Sequence, residues 1–229
     1  METTSRPTLD PAVPQTCIAA GAVLHERDGH IVATSYGSVP GEIAVCMKSV
    51  GLADRSDLGV LELRGDQNLL DRALIARLGD PPVAPGSGRR RRTVWYLRLD
   101  RRRTLLVGPH HALVTGPPIG TGRDRSDLPH KDVGATLAIL SIIGPRAARL
   151  LAAAELPGEL AIGAIGRDPR DADVLAILRE SQRRFLVLVR TTGADAFWTR
   201  LLAAGEPLGA AFVGFDALTL LSASPAPNG

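Results

Sequence analysis

The chain has 229 residues, 45% of them hydrophobic, with a formal net charge of +3. That length accommodates one large domain or two of roughly 100 residues each, and no apolar run reaches the roughly 18 residues of a membrane span. Cys17 and Cys46 stand far apart without CxxC spacing, which fits a reducing cytosol and argues against a metal site.

Lys48 and Lys131 are the only lysines among 27 basic side chains. Such a bias reads as GC-rich coding more readily than as selection for nucleic-acid binding. Residues 1–16 carry Pro7, Pro11 and Pro14 and lack a basic start followed by an apolar stretch. The expectation is a disordered lead rather than a signal peptide, and a cytoplasmic protein. Thr16 to Leu24 is apolar and predicts a strand, followed by a turn at Arg27-Asp-Gly-His30 and a short strand over 31–34. From Glu42 to Val50, Ile43, Met47 and Val50 recur at helical spacing, with Gly51 as the expected stop.

A motif then occurs twice. The first copy, residues 59–77, is an apolar strand that stops at Gly65 and turns into a helix. Asp66 is its expected N-cap, and Leu69, Leu70, Ala73, Leu74 and Leu78 form its buried face. Residues 80–88 read as a loop, and a strand pair from Thr93 to Val107 turns around Asp100–Arg103. Residues 119–130, within a stretch rich in Gly, Asp and Pro, read as a linker. The second copy, residues 138–154, repeats the design around Gly144, with equivalent landmarks 79 to 81 residues away. It leads to strands over 174–179 and 184–190 and a helix over 194–204 with Phe197, Trp198, Leu201 and Leu202 on one side. Gly205 stops that helix, and an apolar stretch over 210–221 runs into a disordered tail, 222–229. This β-α-β-β-α-β order is a split βαβ arrangement. The expected fold is therefore α+β, with two similar ferredoxin-like halves, 17–118 and 131–221, and mainly antiparallel sheets.

The strongest charge cluster is Arg89, Arg90, Arg91 and Arg92, close to Trp95 and Tyr96 and followed by Arg101–Arg103. Basic residues beside aromatics bind single-stranded nucleic acid by phosphate contact and stacking. Only 3% of this chain is aromatic, which argues against that reading. A solvated hairpin is the simplest explanation of the cluster, and contact with an acidic partner subunit is the functional alternative. His110 and His111, on an extended segment, point to opposite faces and have no third metal ligand at a recognisable spacing. The Gly-rich stretches 116–122 and 163–166 lack phosphate-loop spacing, and Cys46, on an amphipathic helix, reads as a small buried residue. Asp54, Ser56 and Asp57 form a polar cluster just before the first repeat; capping or turn formation explains them, with ligand contact as the alternative.

Four ordered segments carry a family resemblance: Glu42 to Gly59, Leu61 to Gln67, Leu140 to Ala147 and Gly205 to Leu218. Together they resemble the folate-binding aminomethyltransferases, the superfamily of the glycine-cleavage T-protein. The chain departs from the other branches of that superfamily in three ways. Trp95-Tyr-Leu-Arg-Leu-Asp-Arg101 stands where the family's catalytic acid belongs, with Asp100 at a turn. Residues 189–195 lack the acidic folate segment, and no iron–sulfur-repair signature is present. The chain is thus most similar to the short branch, the gamma subunit of heterotetrameric sarcosine oxidase, which lacks the C-terminal barrel of full-length members. The resemblance implies an accessory subunit with no catalytic residue of its own, with flavin and NAD carried by larger flavoprotein partners. It leaves room for tetrahydrofolate, for which Asp54, Asp57 and Asp132 are the ligand-binding candidates. Arg89–Arg92, Trp95 and Tyr96 are the candidate partner interface.

Overall fold

In the computed structural model, residues 13–79, 82–114, 129–168 and 170–223 are described. Pro14 opens a short helix, α1 (Gln15–Ala19), whose Cys17 is fully buried. The strand expected over 16–24 is therefore corrected. Gly21, at φ +86°, breaks the chain after the helix, and β1 (Val23–Arg27) starts only beyond it. β1 and β2 (His30–Ser35) form a two-residue hairpin with Asp28 and Gly29 both at positive φ, the backbone such a turn demands.

Ser38 caps α2 (Val39–Lys48) by accepting from Gly41 N. The buried Glu42 accepts the Tyr36 and Gly214 amides at 2.8 and 2.7 Å, tying the end of the hairpin to the C-terminal part of the chain. Gly51 does not stop this helix. It lies inside β3 (Val50–Asp54), where a Cβ would stand 2.6 Å from Cys46 Sγ. β4 (Leu58–Arg64) and α3 (Gln67–Leu78) follow, with the Asp66 carboxylate accepting from Leu69 N as expected of the N-cap. The arginines expected in a loop and turn form β5 (Ser87–Arg91), paired with β6 (Val94–Arg98) across a tight turn with Arg92 at φ +53°. β7 (Arg103–Pro109) runs into α4 (His110–Val114), so the two histidines open a helix rather than an extended segment. Most of the expected linker lies outside the described residues, and His130 already belongs to β8 (His130–Asp132). The second copy gives β9 (Leu137–Ile143) and α5 (Ala147–Ala153). After it come β10 (Ile165–Gly166), β11 (Val174–Ser181), β12 (Arg184–Arg190) and α6 (Ala194–Gly205). β13 (Ala210–Phe212) and α7 (Phe215–Ala223) complete the described elements, so residues 222 and 223 of the expected tail are helical.

The two copies build two sheets, ordered β10-β11-β12-β9-β3-β13 and β5-β6-β7-β4-β8. Each sheet contains one strand from the other copy's side of the chain. β3 precedes β4 in sequence but pairs antiparallel with β9, and β8 precedes β9 but pairs antiparallel with β4. The registers match: Gly51 faces Ile143 and His130 faces Leu63, related by shifts of 79 and 80 residues. The second copy keeps its split βαβ order, with β3 standing between its first strand and its last, β13.

Period-two alternation then sorts the side chains. In β12, Phe185, Val187 and Val189 pack under α5 and α6, while Leu186 and Leu188 face the other sheet. In β6, Trp95 and Leu97 meet them from the opposite sheet, while Val94 and Tyr96 pack under α3. Helices, sheet, sheet and helices therefore stack around three apolar interfaces. The sheets are also joined through main chain, since Gly88 N donates to Gly163 O (2.7 Å) and Ile165 N to Gly86 O (2.9 Å).

Candidate functional site

A cavity of about 350 Å³ opens where the exchanged strands leave their sheets, within the usual range for small-molecule sites. The β3–β4 connection contributes Arg55 and Ser56, β2 contributes His30, α4 His110, β8 Asp132, and the residue after β12 Thr191. Leu58, Leu137 and Ile139 supply apolar wall.

Local sequence explains each placement. The Arg55 amide donates to Ile139 O at 2.8 Å, which fastens the connection to β9. Its guanidinium is bidentate on Asp57 (2.7 and 2.8 Å) and reaches Ser141 Oγ at 3.3 Å. Gly59 is required by His110, because a Cβ there would lie 2.8 Å from the ring Nδ1. The rings of His110 and His30 stack with centroids 3.5 Å apart and planes 10° from parallel. Asp132 Oδ1 accepts Gly134 N at 2.8 Å, an Asx turn that launches the chain toward β9.

Asp54 lies behind Ser56 and is 5% exposed. Burial pushes its carboxyl up to about 7, against hydrogen bonds from Ser56 that pull it down. The three carboxylates singled out from sequence are thus gathered around one cavity: Asp132 in its wall, Asp57 behind Arg55, and Asp54 behind Ser56. The wall residues His30, His110 and Thr191 come from distant parts of the chain; His30 and Thr191 carried no sequence signal, and His110 was considered only as a metal ligand beside His111. Gly59 was their one indirect trace, since a glycine inside a strand marks a close neighbour.

The arginine cluster is elsewhere. Arg90, Arg91 and Arg92 are exposed, but Trp95 and Tyr96 face the protein's own interior. Trp95 Nε1 donates to Glu180 Oε1 at 2.7 Å between the sheets, and Tyr96 takes a hydrogen bond from Arg77 at 2.8 Å. The expected patch of arginines with aromatics is corrected to arginines alone, because alternation along β6 turns both rings into cores. Among the described residues, no group of three or more His, Cys, Asp or Glu side chains is arranged to hold a metal. No described helix is long and apolar enough to cross a membrane.

No protein-family model and no curated protein matches this sequence. Solved structures do. Glycine cleavage system aminomethyltransferase T from Bartonella henselae superposes with a TM-score of 0.70 at 21% identity, over 89% of this chain and 58% of that one. The fold is that of aminomethyltransferase T. A chain of heterotetrameric sarcosine oxidase from Corynebacterium sp. U-96, solved in complex with pyrrole 2-carboxylate, is also similar, with a TM-score of 0.54 at 19% identity. There the match spans 76% of this chain and 93% of the other. The α+β architecture with two ferredoxin-like halves is therefore shared with aminomethyltransferase T, of whose length this chain spans little more than half.

Proposed function

We propose that this chain is an accessory, gamma-type subunit of a sarcosine-oxidase-like heterotetrameric flavoenzyme acting on an N-methyl amino acid, with flavin and NAD on larger partner subunits. The observation that carries this reading is the likeness to a sarcosine oxidase chain that is covered almost end to end. The cavity supports it. Asp57 is engaged by Arg55, Asp54 is buried against Ser56, and Asp132 holds a turn, so the carboxylates serve the scaffold. Exposed Arg90, Arg91 and Arg92 offer an acidic partner a charged edge of the kind that steers association.

Co-expression with the neighbouring genes, followed by size exclusion, tests the assignment. The expected outcome is co-elution with a flavoprotein, weakened by charge reversal of Arg90 and Arg91. A monomer that never co-elutes would overturn it. The second reading is a folate-dependent one-carbon transferase. It is favoured by the cavity's volume and by Asp132 in its wall, with Asp54 and Asp57 bonded to the lining residues Ser56 and Arg55. Titration calorimetry with tetrahydrofolate separates the two readings, and no heat at millimolar ligand removes the second.

A further inference from the structure

Ser56 stands between two acceptors with one proton to give. Its Oγ lies 2.6 Å from Asp54 Oδ2 and 3.0 Å from the carbonyl oxygen of Ile31. A hydroxyl has a single donor, and an ionised carboxylate only accepts. With Asp54 charged, its Oδ2 accepts the Ser56 amide at 3.4 Å and competes with the Ile31 carbonyl for the one hydroxyl hydrogen. With Asp54 protonated, both contacts are satisfied in series: Asp54 donates to Ser56, and Ser56 donates to Ile31. The 2.6 Å separation lies within the O–H···O range, on the short side of its mode.

The surroundings agree with the neutral acid. Among the described residues nothing donates to Asp54 Oδ1, which is buried, so an ionised Asp54 would be held at Oδ2 alone, and a buried charge with half its oxygens unpartnered is costly. The titratable and charged groups that face Asp54 are Cys17 from α1, Tyr36 just after β2, and Arg55 and Asp57 on its own connection. Burial pushes the Cys17 thiol up to about 12 and raises the Tyr36 hydroxyl above its ordinary value, so both stay neutral. Arg55 and Asp57 neutralise each other in their bidentate pair. Burial likewise favours the protonated carboxyl of Asp54 itself.

We propose that Asp54 is a positioning residue whose proton, through Ser56 and the Ile31 carbonyl, holds the β1–β2 hairpin and its His30 against the cavity. When Asp54 releases its proton to solvent, the carboxylate claims the hydrogen of Ser56 and the Ile31 carbonyl loses its partner. The hairpin is a two-stranded ribbon tied at one end through Glu42 and at Arg27 to Asp216, and the Ser56 bond holds β2 at Ile31, one residue from His30. The cavity wall is therefore set by a proton, whichever ligand the cavity takes.

An NMR titration of the isotope-labelled full chain from roughly pH 5 to 9 tests this, because an unperturbed aspartate has finished titrating by then. The Asp54 carboxyl carbon is expected to titrate with a midpoint of about 7, well above an ordinary aspartate. The Ile31 carbonyl carbon and Val32 amide nitrogen should move with the same midpoint. Asp54→Asn should abolish the shared transition. Ser56→Ala should leave Asp54 titrating while Ile31 and Val32 stay still. An Asp54 carboxyl that titrates below about pH 5, or Ile31 and Val32 signals that ignore it in the wild type, would overturn the proposal. Because the wild-type titration decides the matter alone, a variant that fails to fold does not rescue it.

Discussion

Arg98 is wholly buried in β6, and three contacts hold its Nε and Nη2, while Nη1 is buried without a hydrogen-bond partner among the described residues. Its Nε and Nη2 donate to the Asp100 and Arg101 carbonyls at 2.8 and 2.9 Å, and Nη2 pairs with Asp71 of α3 at 3.2 Å. Burial lowers its pKa, while Asp71 and Asp100 oppose that fall. Removing one partner of a buried pair strands the other charge, so Asp71→Ala should destabilise the protein by about 3 kcal/mol. This is the lower end of the usual cost, since Asp71 is a quarter exposed and the two carbonyl bonds remain. Asp71→Asn should recover part of the loss, and urea midpoints at equal m-value would measure both. Gly144 shows a different residue-scale constraint. It takes φ +136°, and a Cβ there would sit 2.3 Å from Ser49 O, so the strand-to-helix turn of the second copy admits only glycine.

At the scale of elements, α3 depends on its cap. The Asp66 carboxylate meets Leu69 N at 2.9 Å on an exposed turn, and Asp66→Ala should cost about 1 kcal/mol in thermal or urea denaturation. α3, α6, β11 and β12 were legible in the sequence because each carries its own period: Leu70, Ala73 and Leu74 at helical spacing, Phe185 to Val189 as an unbroken apolar run. β3 was not. Val50-Gly-Leu-Ala-Asp54 is short and follows a helix directly, and it is a strand because β9 and β13 flank it, both from far along the chain. β5 escaped for the opposite reason. Its arginines lie on a strand held by β6 and by main-chain bonds to residues 163–165, with no apolar pattern to announce it. The site divides in the same way. The carboxylates Asp54 and Asp57 lie within one segment and could be read together, whereas the stack of His30 on His110 exists only after β2 and α4 have been brought side by side.

For the whole molecule, the two apparent halves are not separable units. Each sheet is completed by a strand that belongs, by sequence position, to the other copy, and Trp95 with Glu180 links their facing surfaces. Heating should therefore give a single calorimetric transition whose van't Hoff and calorimetric enthalpies agree. Two resolved transitions would show the halves melting independently.

The exchange of β3 and β8 also bears on how the chain is made. On the ribosome, β3 emerges long before β9 and β13, and β4 waits for β8, so the first copy spends its synthesis with unpaired strand edges. Folding is thereby tied to contacts of long sequence separation, which are slow to close and expose the nascent protein to aggregation. Production of this protein should favour slow translation and chaperone supply, and its yield should be limited by folding rather than by the stability of the finished molecule.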